Sequence, residues 1–103
     1  MTFEVRRVVA TDHPALAGHF PGNPIVPGAL IVEEVLRAVE EYRGRIRLKR
    51  VVSLKFTSPL RPGEVFSVTL NETDDSHIDF ECSSEGRTLA SGRLMVEPGQ
   101  GAP

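Results

Sequence analysis

The sequence has one cysteine, no tryptophan and no excess of basic residues. A single cysteine, Cys82, excludes an intrachain disulfide. The formal net charge of -2 argues against nucleic acid as a partner, because a domain that binds nucleic acid usually carries a clear basic excess. The longest apolar run, Ala29 to Val32, is far shorter than the roughly 20 residues that cross a bilayer, so we expect no membrane contact. The first residues lack the apolar stretch of a signal peptide, and we therefore expect a cytoplasmic protein.

The length of the chain limits how it can fold. With 103 residues it has room for one domain with one hydrophobic core, which we expect to span residues 1–97. The tail, residues 98–103, consists mainly of glycine and proline, and we expect it to be disordered. A domain this small buries only about 60–65% of the surface of its unfolded chain, so association with another chain would stabilise it.

Residue patterns predict one helix and five strands. Residues 28–42 contain no internal helix breaker and place their apolar side chains on one helical face. The dense prolines and glycines between residues 11 and 28 predict an ordered but irregular loop before this helix. The strands are predicted at 3–9, 45–57, 65–73, 77–83 and 89–96. An early helix followed by hairpins predicts an α+β fold with an antiparallel sheet curved around the helix.

One segment carries a specific motif. Residues 18–33, GHFPGNPIVPGALIVE, resemble the active-site signature of the 3-hydroxyacyl-ACP dehydratases of fatty-acid synthesis. The histidine of that signature falls on His19, and its glutamate falls on Glu33, fourteen residues later. Residues 55–64 and 90–96 resemble two further segments of the same family. Glutamate rather than aspartate at position 33 resembles the dehydratases that do not isomerise the double bond, so we expect no isomerase activity.

This resemblance implies a fold and an assembly. It implies a hot-dog fold, in which the sheet wraps around one long central helix and two protomers join into a continuous sheet. The active sites then lie at the interface of an obligate homodimer, with His19 of one chain facing Glu33 of the other, and a higher oligomer stays open. The implied partner is an acyl carrier protein, whose phosphopantetheine carries the substrate. The resemblance implies no cofactor and no metal.

The resemblance also implies a role for four residues. Dehydration needs a base for the C2 proton, an acid for the departing C3 hydroxyl and polarisation of the thioester carbonyl. His19 suits the base, because imidazole titrates near neutral pH. Glu33 would deliver the proton, or position the hydroxyl and its water. The backbone N–H of Gly28 would bind the thioester oxygen, and a backbone carbonyl near Ile25 would orient the histidine ring.

Helical periodicity alone places Glu33 on the polar side of the helix, beside Arg37 and Glu40, which is typical of a solvent-exposed residue. The dehydratases usually have glutamine where this chain has Arg37. An arginine four residues after Glu33 can pair with it on the helix and would favour its ionised form, which weakens a simple general-acid role. The change predicts a divergent branch that serves a specialised acyl pathway.

Several other residues have plain structural interpretations. We expect His13 and His77 to be structural or exposed, and Cys82 to be a buried small apolar residue. A basic stretch follows the helix, and we expect it to be a solvated strand face with Ile46 and Leu48 pointing inward. Its alternative role is docking of an acidic acyl carrier protein. The stretch comprises Arg43, Arg45, Arg47, Lys49 and Arg50.

Two alternative functions stay open. A thioesterase of the hot-dog fold would release free thiol from an acyl thioester, and one fold can host both chemistries. A non-catalytic subunit that binds the acyl carrier would bind acyl-ACP without turnover, and Arg37 is the feature that motivates it.

Overall fold

The computed structural model describes residues 2–16 and 25–98. A single α-helix, α1, and five strands are assigned within these ranges, and every predicted element is confirmed with its ends displaced by at most two residues. The elements are β1 (Thr2–Arg7), a short 3-10 helix (Pro14–Leu16), α1 (Gly28–Arg43), β2 (Ile46–Phe56), β3 (Phe66–Glu72), β4 (His77–Ser84) and β5 (Arg87–Pro98).

The five strands form one antiparallel sheet in the order β1-β3-β4-β5-β2. β2 carries two extra residues relative to β5, Lys49 and Val52, where the pairing register shifts. Bulges of this kind bend a strand and increase its twist, which gives the sheet its curvature. Pro98 pairs with Ile46 at the end of β5, whereas the rest of the tail predicted to be disordered, residues 99–103, lies outside the described residues. The sheet continues that far because β2 offers it a partner.

The core lies between α1 and the concave face of the sheet. Val35, Ala38 and Val39 of the helix are completely buried, as are alternate residues of β3 and β4. Cys82 is one of these residues, as predicted, and its burial raises the pKa of the thiol to about 12. A thiol that stays protonated is a poor nucleophile, so Cys82 serves packing.

Polar contacts hold the middle and the C-terminal end of α1 on the sheet. Arg7 of β1 pairs with Glu34 at 3.4 Å and also with Glu41. In the last turn, Arg43 donates a hydrogen bond of 2.6 Å to Glu72 of β3. The helix stops at Gly44, whose φ of 81° is accessible to glycine at little cost, and its N–H donates to the carbonyl of Glu40 at 2.7 Å. These contacts fix the direction of the helix over the sheet.

β2 lies at one edge of the sheet, and four of its apolar side chains are exposed. Edge strands offer unpaired backbone groups, and natural proteins usually protect long apolar edges. The exposed residues of β2 are Val51, Val52, Leu54 and Phe56.

No helix within the described ranges is long and apolar enough to cross a membrane.

Candidate active site

A cleft of about 380 Å³ opens at the N-terminus of α1. The segment before the helix, the first helical turn and the chain that follows β2 form its walls. Most of the lining is apolar, which suits an acyl chain, and backbone groups of the helix terminus supply polar contacts. The lining residues are Ile25, Val26, Gly28, Ile31, Phe56, Thr57, Ser58, Pro59 and Leu60.

Gly28 is the first residue of the helix, and it lines this cleft. Pro27 precedes it as the N-terminal cap and offers no side-chain hydrogen bond to the first turn, although its carbonyl accepts the N–H of Leu30 at 3.0 Å. Within the described ranges, no hydrogen bond uses the N–H of Gly28. A free N–H at the positive end of a 16-residue helix is suited to bind a developing negative charge.

Backbone hydrogen bonds fix the opposite wall of the cleft. The N–H of Val26 donates to the carbonyl of Leu60 at 2.8 Å, which joins the segment before the helix to this wall. The N–H of Thr57 donates to the carbonyl of Leu89 at 2.8 Å, and its hydroxyl donates to the carbonyl of Thr88 at 2.7 Å. Leu89 is an extra residue where the register between β4 and β5 shifts. The bulge therefore leaves its carbonyl available to the cleft wall.

A network centred on Glu64 holds the turn that follows the cleft wall. The Ser84 hydroxyl lies 2.7 Å from one Glu64 oxygen, and the Arg61 N–H donates to the other at 3.2 Å. Arg87 contacts the same carboxylate at 2.9 Å and donates to the carbonyl of Pro59 at 3.0 Å. The Ser84 hydrogen bond, followed by those from Arg61 and Arg87, lowers the pKa of the Glu64 carboxyl although burial opposes the shift. The ionised carboxylate thus stabilises the fold.

This lowered pKa predicts acid sensitivity that depends on Glu64. The stabilisation is complete above the ordinary pKa of about 4.3 and is lost as the pH falls from there towards the lowered value. Glu64→Gln is expected to reduce the free energy of unfolding at pH 7 by about 1–2 kcal/mol, since charge-assisted hydrogen bonds are lost. Urea unfolding of both proteins between pH 7 and pH 3 measures this, and the difference should shrink below pH ~4. An equal difference at every pH would contradict it, and the exposed Glu85→Gln is the control.

The cleft contains two of the four predicted site residues. Ile25 and Gly28 both line it, whereas His19 lies outside the described residues. Glu33 is exposed on α1 and does not line this cleft. It follows Ile31 by two residues, which is about 200° around the helix, so Glu33 points away from the cleft of its own chain.

The possible ion pair between Glu33 and Arg37 is not formed. Arg37 contacts Glu34 instead, at 3.4 Å, which is the residue directly after Glu33 on the helix. Glu34 is less exposed than Glu33 and already faces Arg7. The guanidinium groups of Arg7 and Arg37 therefore both contact Glu34. No ion pair joins Glu33 to another residue of the described chain. The predicted obstacle to its role as an acid is therefore absent.

The remaining candidates follow their structural interpretations. The ring of His77 contacts the Asp74 carboxylate at 2.9 Å within the turn between β3 and β4, and His13 is half-buried in the turn before the 3-10 helix. In the basic stretch, Ile46 and Leu48 pack against the core while Arg47 pairs with Glu97 at 2.8 Å. No cluster of three potential metal ligands occurs among the residues described.

Sequence reasoning assigned no role to the cleft wall after β2. Residues 55–64 resemble a segment of the dehydratase family, and this resemblance is the signal in the sequence that points to them. Among the residues of this segment that line the cleft, 56–60, the polar side chains are the hydroxyls of Thr57 and Ser58. These residues contribute the shape of the cleft wall. That shape depends on how the end of β2 packs beside α1, which a local sequence pattern does not show.

Comparison with known proteins identifies the family of the chain. Residues 1–93 match the family model of the ApeI-like proteins, described as ApeI dehydratase. The 3-hydroxyacyl-[acyl-carrier-protein] dehydratase FabZ of Ehrlichia chaffeensis is 32% identical over 100 residues, covering 85% of this chain and 68% of the relative. The chain spans about two thirds of the length of such curated relatives.

Solved structures confirm the hot-dog fold. The dehydratase heterocomplex ApeI:P from Xenorhabdus doucetiae has a TM-score of 0.80 at 18% identity, covering 92% of this chain and 86% of that one. A probable thioesterase from Bartonella henselae has a TM-score of 0.75 at 12% identity, covering 99% and 95%. At these identities both establish the fold alone, whereas the family model distinguishes between the two chemistries. The chain belongs to the ApeI-like dehydratase family.

Proposed function

We propose that this chain dehydrates a 3-hydroxyacyl thioester, carried on an acyl carrier protein, to the trans-2-enoyl thioester. The observation that carries the proposal is an apolar cleft beside the free N–H of Gly28, in a chain of a dehydratase family. An acyl chain fits the apolar walls, and the helix terminus meets its thioester carbonyl. The alternative thioesterase activity has no observation in its favour beyond the shared fold.

The reaction moves one proton and expels water. A base removes the C2 proton while the thioester oxygen takes up negative charge. The electron pair then forms the C2–C3 double bond as the C3–O bond breaks, and an acid protonates the leaving hydroxyl to give water. We assign carbonyl stabilisation to the Gly28 N–H, because a preorganised donor at a helix N-terminus favours an enolate-like oxygen. The chemistry needs no cofactor, since the phosphopantetheine arrives with the substrate.

The proton transfers are assigned to His19 and Glu33. The motif of residues 18–33 supports His19 as the base, and the position of Ile25 in the cleft lining supports a nearby backbone carbonyl as its orienting group. Glu33 points away from its own cleft, so we assign it to the cleft of a second protomer. That assignment requires a homodimer with shared sites.

The edge strand β2 supports the dimer. It presents an unpaired backbone edge and the exposed apolar side chains of Val51, Val52 and Leu54, which lie outside the cleft. Pairing with β2 of a second copy would satisfy the backbone and cover these side chains in one step. A C2 dimer built in this way makes the sheet continuous across the two protomers.

The dimer can be tested at Val52, the bulged and exposed residue of β2. Val52→Glu is expected to weaken dimerisation by about 100-fold, because a charge is desolvated without a partner at the interface. Light scattering across a concentration series measures this. Val65→Glu is the matched control, because Val65 is equally apolar and even more exposed but lies outside β2. A monomeric wild-type protein at micromolar concentration would contradict the proposal, as would equal effects of both variants.

The acyl carrier protein is proposed to dock on exposed cations near this edge. Lys49, Arg50 and Lys55 of β2 are exposed, and none of them has an ion pair within the described part of the chain. Arg43 and Arg47 already pair with Glu72 and Glu97, which removes them from the proposed docking surface. Complementary charge would speed the encounter with an acidic carrier. The buried thiol of Cys82 is compatible with the cytoplasmic location that we propose.

Arg37 is expected to have little influence on the reaction. Its side chain is 65% exposed and contacts Glu34 rather than Glu33. Arg37→Gln, which introduces the residue usual in related dehydratases, should therefore change kcat/KM by less than about threefold. Steady-state kinetics on one 3-hydroxyacyl-ACP measure this. An increase in kcat/KM of tenfold or more would instead identify Arg37 as an inhibitory residue. That result would favour the alternative hypothesis, in which the natural chain is a non-catalytic subunit.

The proposed function is tested directly by mass spectrometry. The purified chain is incubated with 3-hydroxyacyl-ACP, and the expected product is lighter by one water. Free thiol release without loss of water would indicate a thioesterase. Binding of acyl-ACP without any product would indicate a non-catalytic subunit. Addition of a second hot-dog protein then determines whether activity requires a heterocomplex.

A further inference from the structure

Phe56, the last residue of β2, packs directly against the first residue of the helix. A Cβ atom added to Gly28 would lie 2.5 Å from the ring Cζ of Phe56 and 2.8 Å from Cε2. The cross-strand partner of Phe56 on β5 is Ala90, which is buried and small. The ring thus occupies a notch between two residues with little or no side chain. Nearly half of Phe56 is still exposed, at 48%, and that exposed surface lines the cleft.

We propose that Phe56 determines substrate specificity, by admitting 3-hydroxyacyl chains that are unbranched next to the reacting carbons and rejecting chains that are branched there. The inference rests on the proposed function, in which the Gly28 N–H binds the thioester oxygen. The ring contacts the Cα position of that same glycine. A carbonyl held by Gly28 therefore brings the first acyl carbons to the ring face.

The packing of the ring explains why it would act as a rigid limit. Gly28 belongs to the helix, and Ala90 belongs to a completely buried part of β5. The backbone is therefore held in place at both positions and does not move away from the ring. A straight chain can pass along the exposed face of the ring. A methyl branch at C4 needs the volume that the ring fills. Differences of one carbon in an apolar pocket change kcat/KM by roughly 10–200-fold, which sets the scale of the effect.

The experiment compares two isomeric substrates on three proteins. The substrates are 3-hydroxyhexanoyl-ACP and its branched isomer 3-hydroxy-4-methylpentanoyl-ACP, and the readout is the ratio of their kcat/KM values. Wild type is expected to prefer the straight chain, and Phe56→Ala is expected to reduce that preference by about tenfold or more. Val65→Ala is the matched control, because Val65 is an exposed apolar residue that lies outside β2 and does not line the cleft. Its ratio should equal that of wild type.

The possible results separate the two proposals. If wild type dehydrates neither substrate, the proposed function is wrong, and the specificity role of Phe56, which rests on it, is wrong as well. If wild type converts the straight chain and Phe56→Ala leaves the ratio unchanged, the function stands and the specificity role is overturned. Phe56→Leu keeps an apolar side chain of smaller volume and should give an intermediate ratio. It supplies the answer if Phe56→Ala fails to fold, which circular dichroism establishes.

Discussion

Replacing His19 with alanine is expected to lower the rate of dehydration by at least about 100-fold, and Glu33→Gln should have an effect of similar size. The first change removes the proposed base for the C2 proton. The second removes the acid for the hydroxyl while keeping the shape of the side chain. Steady-state conversion of 3-hydroxyacyl-ACP measures both. Circular dichroism establishes that both variants are folded, as expected for Glu33, which is exposed on α1.

The same two variants test whether the active site is shared between protomers. Co-expression of His19→Ala with Glu33→Gln gives a random mixture in which about half of the dimers combine one chain of each type. If His19 of one chain works with Glu33 of the other, each mixed dimer contains one complete site. The mixture should then recover about a quarter of wild-type activity. If both residues act within one chain, every site is incomplete and the mixture stays inactive.

Control residues of the same chemical type make this result specific. His13→Ala removes a half-buried histidine from the turn before the 3-10 helix, and Glu40→Gln removes an exposed carboxylate from the far end of α1. Both should retain activity within about threefold of wild type, because surface changes away from a site usually have small effects. A His19→Ala rate equal to that of His13→Ala would remove His19 from the mechanism.

The fold was accessible from the sequence because its elements are marked locally. Apolar periodicity and Gly44 delimit α1, and clusters of Gly, Asp and Ser separate the hairpin strands. The extent of β5 was underestimated, since Glu97 and Pro98 have no strand-forming character of their own. They extend the strand because β2 offers them partners. Pairing of this kind is a tertiary effect that a local pattern does not contain.

The site was accessible only in part. The motif of residues 18–33 identified the helix N-terminus, and the structure places Ile25 and Gly28 of that motif in one cleft. Four glutamates of α1 lie three or four residues from Arg37, and the structure shows it in contact with Glu34, which also faces Arg7 of β1. The role of Phe56 was not predictable, because it depends on contact between two elements that lie 28 residues apart in sequence.

Gly92, in the family segment at residues 90–96, lies where neighbouring strands pack too closely for any side chain. It lies on β5 between Phe80 of β4 and Leu54 of β2. A Cβ atom at this position would lie 2.3 Å from the backbone carbonyl oxygen of Ser53 and 2.7 Å from the Phe80 ring. Both distances are far below van der Waals contact. The bulge of β2 beside Ser53 thus approaches β5 closely only because residue 92 has no side chain.

Gly92→Ala is therefore expected to reduce the free energy of unfolding by about 3 kcal/mol, the upper end of the usual cost of overpacking. In a domain of this size that corresponds to a fall in Tm of roughly 10–20 °C. Adding Phe80→Leu should not restore stability, because the closest clash is with backbone, which no side-chain change relieves. Ser91→Ala, one residue earlier on β5, should stay within about 0.5 kcal/mol of wild type. If Gly92→Ala were as stable as Ser91→Ala, the close approach of β2 to β5 would be wrong, and with it the strand position that places Phe56 against Gly28.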